Sequence, residues 1–274
     1  MSYTVNASIL LTELPILERP AAAKAAGFDA VEFWWPFSVA VPAQDEVDAF
    51  VAAIQDAGVQ LTSLNFFAGD MPGGDRGLVS WVGREDEFAA NIDVVVEIGR
   101  RLGTKAFNAL YGNRLDGVDP QAQDDLAVKN LAAAGRAVAE LGGIVLLEPV
   151  SGMETYPLKT AADALAIIAR VKNEEGVDNV RLLADFYHLA VNGDDVPAVI
   201  AGHAAEFGHI QIADAPGRGE PGTGDLPLTQ WIADAQAGGY AGVIGLEYKA
   251  TQADPFAWLG SSKSKSTSTA AAQA

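Results

Sequence analysis

The 274-residue chain contains no cysteine, which excludes a disulfide framework, a thiolate zinc site and a cysteine nucleophile. Histidine is scarce too, at three residues, and a histidine-rich multi-metal centre cannot be built from so few. Lys and Arg together number 18 against 36 Asp and Glu, a net charge of −18. Such a surface repels phosphate backbones, so no general nucleic-acid binding is expected. The same acidity sets a condition: an anionic substrate needs positive charge gathered locally in its site. No apolar run approaches the ~20 residues of a membrane helix. The opening stretch MSYTVNASILLTELPIL lacks a basic region and carries Glu13. Neither membrane nor signal peptide is therefore expected, and the cytoplasm is the expected compartment.

What is present is a chain with 49% hydrophobic residues, enough to bury one substantial core. Short apolar or β-branched runs alternate with longer helical patterns. The strand candidates are YTVNASIL, AVEFWW, VQLTSLNF, KAFNAL, GIVLLE, VRLLADF, FGHIQIA and GVIGLEY. Between them lie helix-period segments such as PILERPAAAKAAG, QDEVDAFVAAIQDAG, EDEFAANIDVVVEIGRRLG and DDLAVKNLAAAGRAVAELG. Gly27, Gly58, Gly103 and Gly142 stand where a helix C-terminus is expected. Eight strands interleaved with helices predict an α/β fold, a (β/α)8 TIM barrel forming one domain over residues 1–259. A doubly wound sheet would place a phosphate loop after the first strand, and ASILLTELP has no glycine there. Two segments break the rhythm. FFAGDMPGGDRGLVSWVGRED is too long for a tight turn and is expected to form a lid or wall over the barrel mouth. GSSKSKSTSTAAAQA, residues 260–274, is low-complexity and is expected to be disordered.

The run Gly217-Arg-Gly219-Glu-Pro-Gly222 fits the dinucleotide fingerprint G-x-G-x-x-G, with Glu247 further on. A true fingerprint opens directly from a strand and runs straight into a helix. Here Asp214-Ala-Pro216 intervenes, and Pro221, Gly224 and Pro227 delay the helix to about Leu228. The match is accidental, and no nucleotide is expected.

Catalytic groups of such a barrel sit at the C-terminal strand ends. Four consecutive strands end in an oxygen-bearing residue: IVLLEP gives Glu148, RLLADFYH gives Asp185 and His188, HIQIAD gives Gln211 and Asp214, and VIGLEYK gives Glu247 and Lys249. Neighbouring strands are about 4.8 Å apart, so these groups can converge. Three carboxylates and an amide oxygen form a hard donor set suited to Mg²⁺ or Mn²⁺, and a divalent cation relieves their mutual repulsion. His188, Arg218 and Lys249 are the candidates to hold an anionic substrate. Trp34 and Trp35 are placed to wall the pocket.

GHIQIADAPGRGEPGTGDL followed by GGYAGVIGLEYK resembles the hydroxypyruvate isomerase family, within the xylose-isomerase-like TIM barrels. NASILLTELPILERPAAAKAAGFDAVEFWWPF, AGDMPGGDRGLVSWVGREDEFAANI, LLEPVS and ADFYHLAVNGD extend the resemblance over all but the serine-rich tail. It implies that Glu148, Asp185, Gln211 and Glu247 bind a divalent metal and that Glu148 and Glu247 act as the proton donor/acceptor pair. The expected reaction interconverts hydroxypyruvate and tartronate semialdehyde, an intramolecular redox isomerisation belonging to glyoxylate metabolism. Where related sugar epimerases have a histidine, this chain has Gln211. Some rim positions depart from the family pattern: Val150-Ser151 replaces Ile-Asn, the loop GMETYPLKT differs, Ala190 replaces a glutamine, and Asp225-Leu-Pro227 replaces a Glu-x-Asn-Tyr-like segment. These put substrate identity in question, and a 2-oxo-tetronate isomerase or a ketose 3-epimerase is the alternative. An abasic-site nuclease would need a basic groove, and a non-enzymatic binding barrel would not need the four ligands. A homo-oligomer is compatible with the sequence, which fixes no oligomeric state.

Overall fold

The computed structural model describes residues 2–260. Its eight strands are β1 (Tyr3–Asn6), β2 (Ala30–Phe33), β3 (Gln60–Asn65), β4 (Ala106–Asn108), β5 (Ile144–Leu147), β6 (Val180–Asp185), β7 (Phe207–Ile212) and β8 (Ile244–Leu246). All pair in parallel, in chain order, and Tyr3 pairs with Ile244 to close the barrel. The (β/α)8 fold expected from the alternating pattern is the fold observed. The predicted tail lies outside the described residues except for Gly260. Among the described residues no helix is long and apolar enough to cross a membrane.

The strands are short because each needs to span only the barrel wall. Their apolar residues, such as Val145, Leu146, Leu147 and Leu183, are wholly buried. Burying such side chains supplies the main driving force, at roughly 25 cal/mol per Å². The outer layer consists of α1 (Arg19–Ala25), α2 (Gln44–Ala57), α3 (Glu85–Leu102), α4 (Pro120–Ala139), α5 (Ala161–Glu175), α6 (Phe186–Val191), α7 (Val196–His203) and α8 (Leu228–Ala237). Helix α1 starts only at Arg19, later than the pattern PILERP suggests, with Pro20 in its first turn, where a missing N–H is harmless. Gly58 and Gly103 end α2 and α3 in the left-handed conformation. After β6 the regular alternation gives two helices in place of one.

The segment after β3 is fastened to the barrel mouth. The Gly77 N–H donates to Ala68 O (3.0 Å), the Ser80 N–H to Tyr111 O (2.8 Å) and the Phe67 N–H to Asn91 Oδ1 (2.9 Å). Gly77 sits at φ +116°, where a Cβ would lie 1.9 Å from Leu110 O. Only glycine allows that approach. Of the two expectations for this segment, the wall is what its anchoring fits.

Candidate active site

Parallel strands put every C-terminal end on one face of the barrel, and the cluster sits there. Glu148 follows β5, Asp185 ends β6, Gln211 lies in β7 and Glu247 follows β8. Asp185 and Gln211 are Cα partners in the β6–β7 ladder, so their side chains are neighbours. Glu148, Asp185, His188 and Glu247 each offer an atom within 4.8 Å of one another, and all four are buried.

Local structure explains the placement of His188. Asp185 is the N-cap of α6, its Oδ1 accepting from the Tyr187 N–H (2.8 Å) and the His188 N–H (3.1 Å). The cap uses one carboxylate oxygen and sets His188 one turn further on. The Ser151 N–H donates to His188 Nδ1 (3.0 Å), and Ser151 Oγ lies 2.7 Å from the same atom. Burial holds the imidazole neutral, its pKa lowered to about 3. Nδ1 is therefore an acceptor and the proton sits on Nε2. That nitrogen stands 3.7 Å from Asp185 Oδ2 and 3.9 Å from Glu148 Oε1. In this tautomer His188 turns Nε2 to the site as a hydrogen-bond donor.

The two glutamates are held differently. Glu247 Oε1 accepts from Trp34 Nε1 (2.6 Å) and Asn6 Nδ2 (3.0 Å), and its Oε2 from Arg218 Nη2 (2.6 Å). Glu148 accepts one side-chain hydrogen bond, to Oε2 from Asn108 Nδ2 (2.8 Å). Burial raises the proton affinity of both, and their mutual repulsion adds to it for Glu148. Glu148 stands well above the usual carboxylate range, whereas Arg218 limits Glu247 to about 7.

Buried polar atoms normally find partners. Here Asp185 Oδ2 and Gln211 Oε1 are buried and have none. Two orphaned oxygens beside two glutamates whose ionised forms are disfavoured fit a divalent cation. Hard oxygen donors match Mg²⁺ or Mn²⁺. The buried group can hold a metal ion.

The surrounding cavity has a volume of about 980 Å³. Glu148, Glu247, His188 and Arg218 line it, as do Trp34 and Trp35. The expected wall after β3 contributes Phe67, Asp70, Arg76 and Arg84 among others. Lys249 is placed elsewhere. It is exposed and lines a separate cavity of about 300 Å³ with Thr12 and Glu13. Lys249 lies past the end of β8, where strand alternation no longer sets its side. Asp214 is also outside the cluster. Its carboxylate accepts from the N–H groups of Ala215, Gly222 and Leu226. The glycine-rich run is thus a folded loop organised by Asp214. It presents Arg218, itself at φ +58°, to Glu247.

Residue reading overlooked the other half of the rim. Asn6 ends β1, Asn108 ends β4, and Glu32 sits in β2 as a buried carboxylate. The strand-end rule that found Glu148 to Glu247 finds Asn6, Asn65 and Asn108 when applied to the first four strands.

Residues 20–266 match the model of the xylose isomerase-like TIM barrel family. The chain belongs to this family. A Streptomyces coelicolor protein provisionally named a hydroxypyruvate isomerase is 53% identical over 94% of this chain and 95% of its own length. A 2-oxo-tetronate isomerase of Cupriavidus necator is 33% identical over 90% of this chain and 92% of its own. A solved Brucella melitensis structure, described as an AP endonuclease of family 2, superposes with a TM-score of 0.85 at 28% identity, covering 94% of this chain and 98% of the other. The member described here is hydroxypyruvate isomerase-like, an enzyme of the isomerase class.

Proposed function

We propose that the protein interconverts hydroxypyruvate and 2-hydroxy-3-oxopropanoate (tartronate semialdehyde) in a metal-dependent reaction through an enediolate. The observation that carries this reading is the pair Glu148 and Glu247, each with an oxygen within 4.8 Å of the other, together with two orphaned buried oxygens on the strands between them. One glutamate takes a proton from C3 of the keto acid and the other returns a proton to C2, while the hydroxyl proton passes from O3 to O2. Atoms and charge balance without a redox cofactor. Positioned acid–base groups are typically worth about 10²–10⁴-fold each. Glu148, Asp185, Gln211 and Glu247 would hold Mg²⁺ or Mn²⁺, which when bound stabilises negative charge developing on substrate oxygen. His188 donates from Nε2 to a substrate oxygen. Arg218, fixed beside Glu247, faces the anionic end of the substrate.

A four-carbon substrate is the second reading, favoured by the 2-oxo-tetronate isomerase relative and by a cavity larger than a three-carbon acid fills. A nuclease is not favoured: one histidine stands in the cluster and the net charge is −18.

The test is isomerisation of hydroxypyruvate by the purified protein, coupled to a reductase and followed as NADH loss. Turnover is expected with Mn²⁺ or Mg²⁺. It should disappear in EDTA and in Glu247→Gln, a nearly isosteric change that leaves the fold intact. A Glu247→Gln variant with near-normal turnover would sink the two-glutamate assignment. An inert wild type that turns over the four-carbon acid would select the second reading.

A further inference from the structure

Glu32 is a carboxylate with 1% exposure, buried in the barrel interior beneath the cluster and outside the set of groups that face the cavity. Three donors surround it. Gln211 Nε2 donates to Oε1 at 2.7 Å, Asn6 Nδ2 donates to Oε1 at 3.2 Å, and His209 Nε2 lies 2.7 Å from Oε2. A carboxylate offers only acceptors, so each contact dictates which end of its partner faces inward. Gly245 on β8 leaves room for the arrangement: a Cβ there would lie 2.8 Å from both Glu32 Oε1 and Gln211 Cγ.

The consequence falls on Gln211. An amide can present either its oxygen or its NH₂ to a site, and the two shapes are nearly the same. Turned over, Gln211 would set its oxygen against the oxygen of Glu32. Its NH₂ is therefore committed to Glu32, and Oε1 is left facing away from it, buried and without a hydrogen-bond partner. Asp185 Oδ2, on the neighbouring strand position, is orphaned in the same way. Through Asn6 the same carboxylate is tied to Glu247, since Asn6 Nδ2 also reaches Glu247 Oε1 at 3.0 Å.

We infer that Glu32 is the positioning residue of the metal site: it acts through Gln211, fixing that amide as an oxygen donor to the cation. The inference rests on the metal-dependent reading above and adds the group that makes a glutamine serve where its NH₂ would repel a cation. Outer groups of this kind typically contribute about 10–100-fold in metal affinity.

Mn²⁺ binding to the metal-free full chain, read as loss of the free-ion EPR signal, tests it without reference to turnover. In Glu32→Gln, His209 keeps the new carbonyl oxygen, the new NH₂ faces Gln211, and Gln211 turns its own NH₂ towards the site. Mn²⁺ affinity is expected to fall by about 10–100-fold. The exchange variant Glu32→Gln/Gln211→Glu restores a donor opposite an acceptor between positions 32 and 211, gives up only the longer Asn6 contact to Oε1 (3.2 Å) while Asn6 keeps Glu247, and returns an oxygen to the site whichever way residue 211 turns. Its affinity is expected to recover towards wild type, which a merely structural loss at position 32 would not do. Wild-type affinity in Glu32→Gln overturns the inference. Should that variant not fold, loss of Mn²⁺ binding by a folded exchange variant overturns it. A wild type that binds no Mn²⁺ overturns the metal reading itself, and this inference with it.

Discussion

The buried glutamates make the metal-free protein sensitive to pH in a direction opposite to ordinary acid denaturation. Glu247 is raised from 4.5 to about 7 and Glu148 well above 4.5, in both cases by burial first. Between these values and 4.5 the folded protein holds protons that the unfolded chain has released, so stability falls as pH rises. His188 has the opposite effect. Its folded value of about 3 lies below 6.5, so it disfavours folding at low pH and stops contributing above about 6.5. Asp48, Asp125 and Glu220 are lowered and act only below the usual carboxylate range. The window from pH 6.5 to 7.5 is therefore left to the raised carboxyls, Glu247 and Glu148, with Asp185 acting in the same direction. Glu247, at about 7, alone retains about half a proton across this window, so it should lower stability by about 0.7 kcal/mol per pH unit, and the other raised carboxyls add to the fall. At a urea m-value of roughly 3 kcal/mol/M that lowers the unfolding midpoint by about 0.2 M or more. The assay is urea unfolding in EDTA at pH 6.5, 7.0 and 7.5, repeated with saturating Mn²⁺. Because a cation needs the carboxylates ionised, it displaces those protons, and the decline should disappear when Mn²⁺ is bound. A midpoint in EDTA that stays level or rises across the window would refute the reasoning.

Two further outcomes follow from the wall and the cavity. Gly77→Ala forces a side chain to φ +116° and a Cβ to 1.9 Å from Leu110 O, so it should cost roughly 1–3 kcal/mol, read as a lowered urea midpoint; an unchanged midpoint would show that the wall is not anchored there. Arg76 lines the cavity and donates to the main-chain oxygens of Met71 (2.9 Å) and Asp75 (2.6 Å), with no carboxylate partner among the described residues, whereas Arg218 is paired with Glu247 and Arg84 with Glu87. Arg76→Gln should therefore raise KM for a keto acid while leaving kcat nearly unchanged, and an unchanged KM would remove Arg76 from substrate binding.

Strand positions were legible because a buried parallel strand is a short apolar run with little ambiguity of face, and all eight candidates contain an observed strand. Their ends were less so. YTVNASIL yields only Tyr3–Asn6, since pairing with β2 and β8 stops where the chain turns back towards Arg19, whose guanidinium donates to Ala7 O (2.8 Å). Carboxylates at strand ends were legible for the same reason: a charge straight after an apolar run has nowhere to go but the barrel mouth. Glu32 was not, because within AVEFWW it reads as the polar member of an alternating strand, and only closure of the barrel turns that face inwards. Lys249 was misplaced by adjacency in sequence, which says nothing of side once the strand has ended. The short α6 was hidden because Asp185 is strand end, helix cap and cluster member at once.

The unequal support of the two glutamates gives them unequal work. Three donors, from Trp34, Asn6 and Arg218, converge on Glu247, and a carboxylate so held gives up its proton sooner. Glu148 has Asn108 as its one side-chain donor and, in the metal-free protein, keeps its proton to higher pH. Two like groups whose surroundings push their proton affinities apart are the usual basis for dividing acid from base. On that ground, in the reaction proposed above, Glu247 as the more readily ionised of the two would accept the proton from carbon and Glu148 would return it. Reversal would exchange the roles. The bias comes from β1, β2 and the loop bearing Arg218, elements that carry none of the four proposed ligands. Half of the barrel supplies the donor oxygens. Asn6 and Trp34 from the other half, with Arg218 from the loop after β7, decide which of them is ionised.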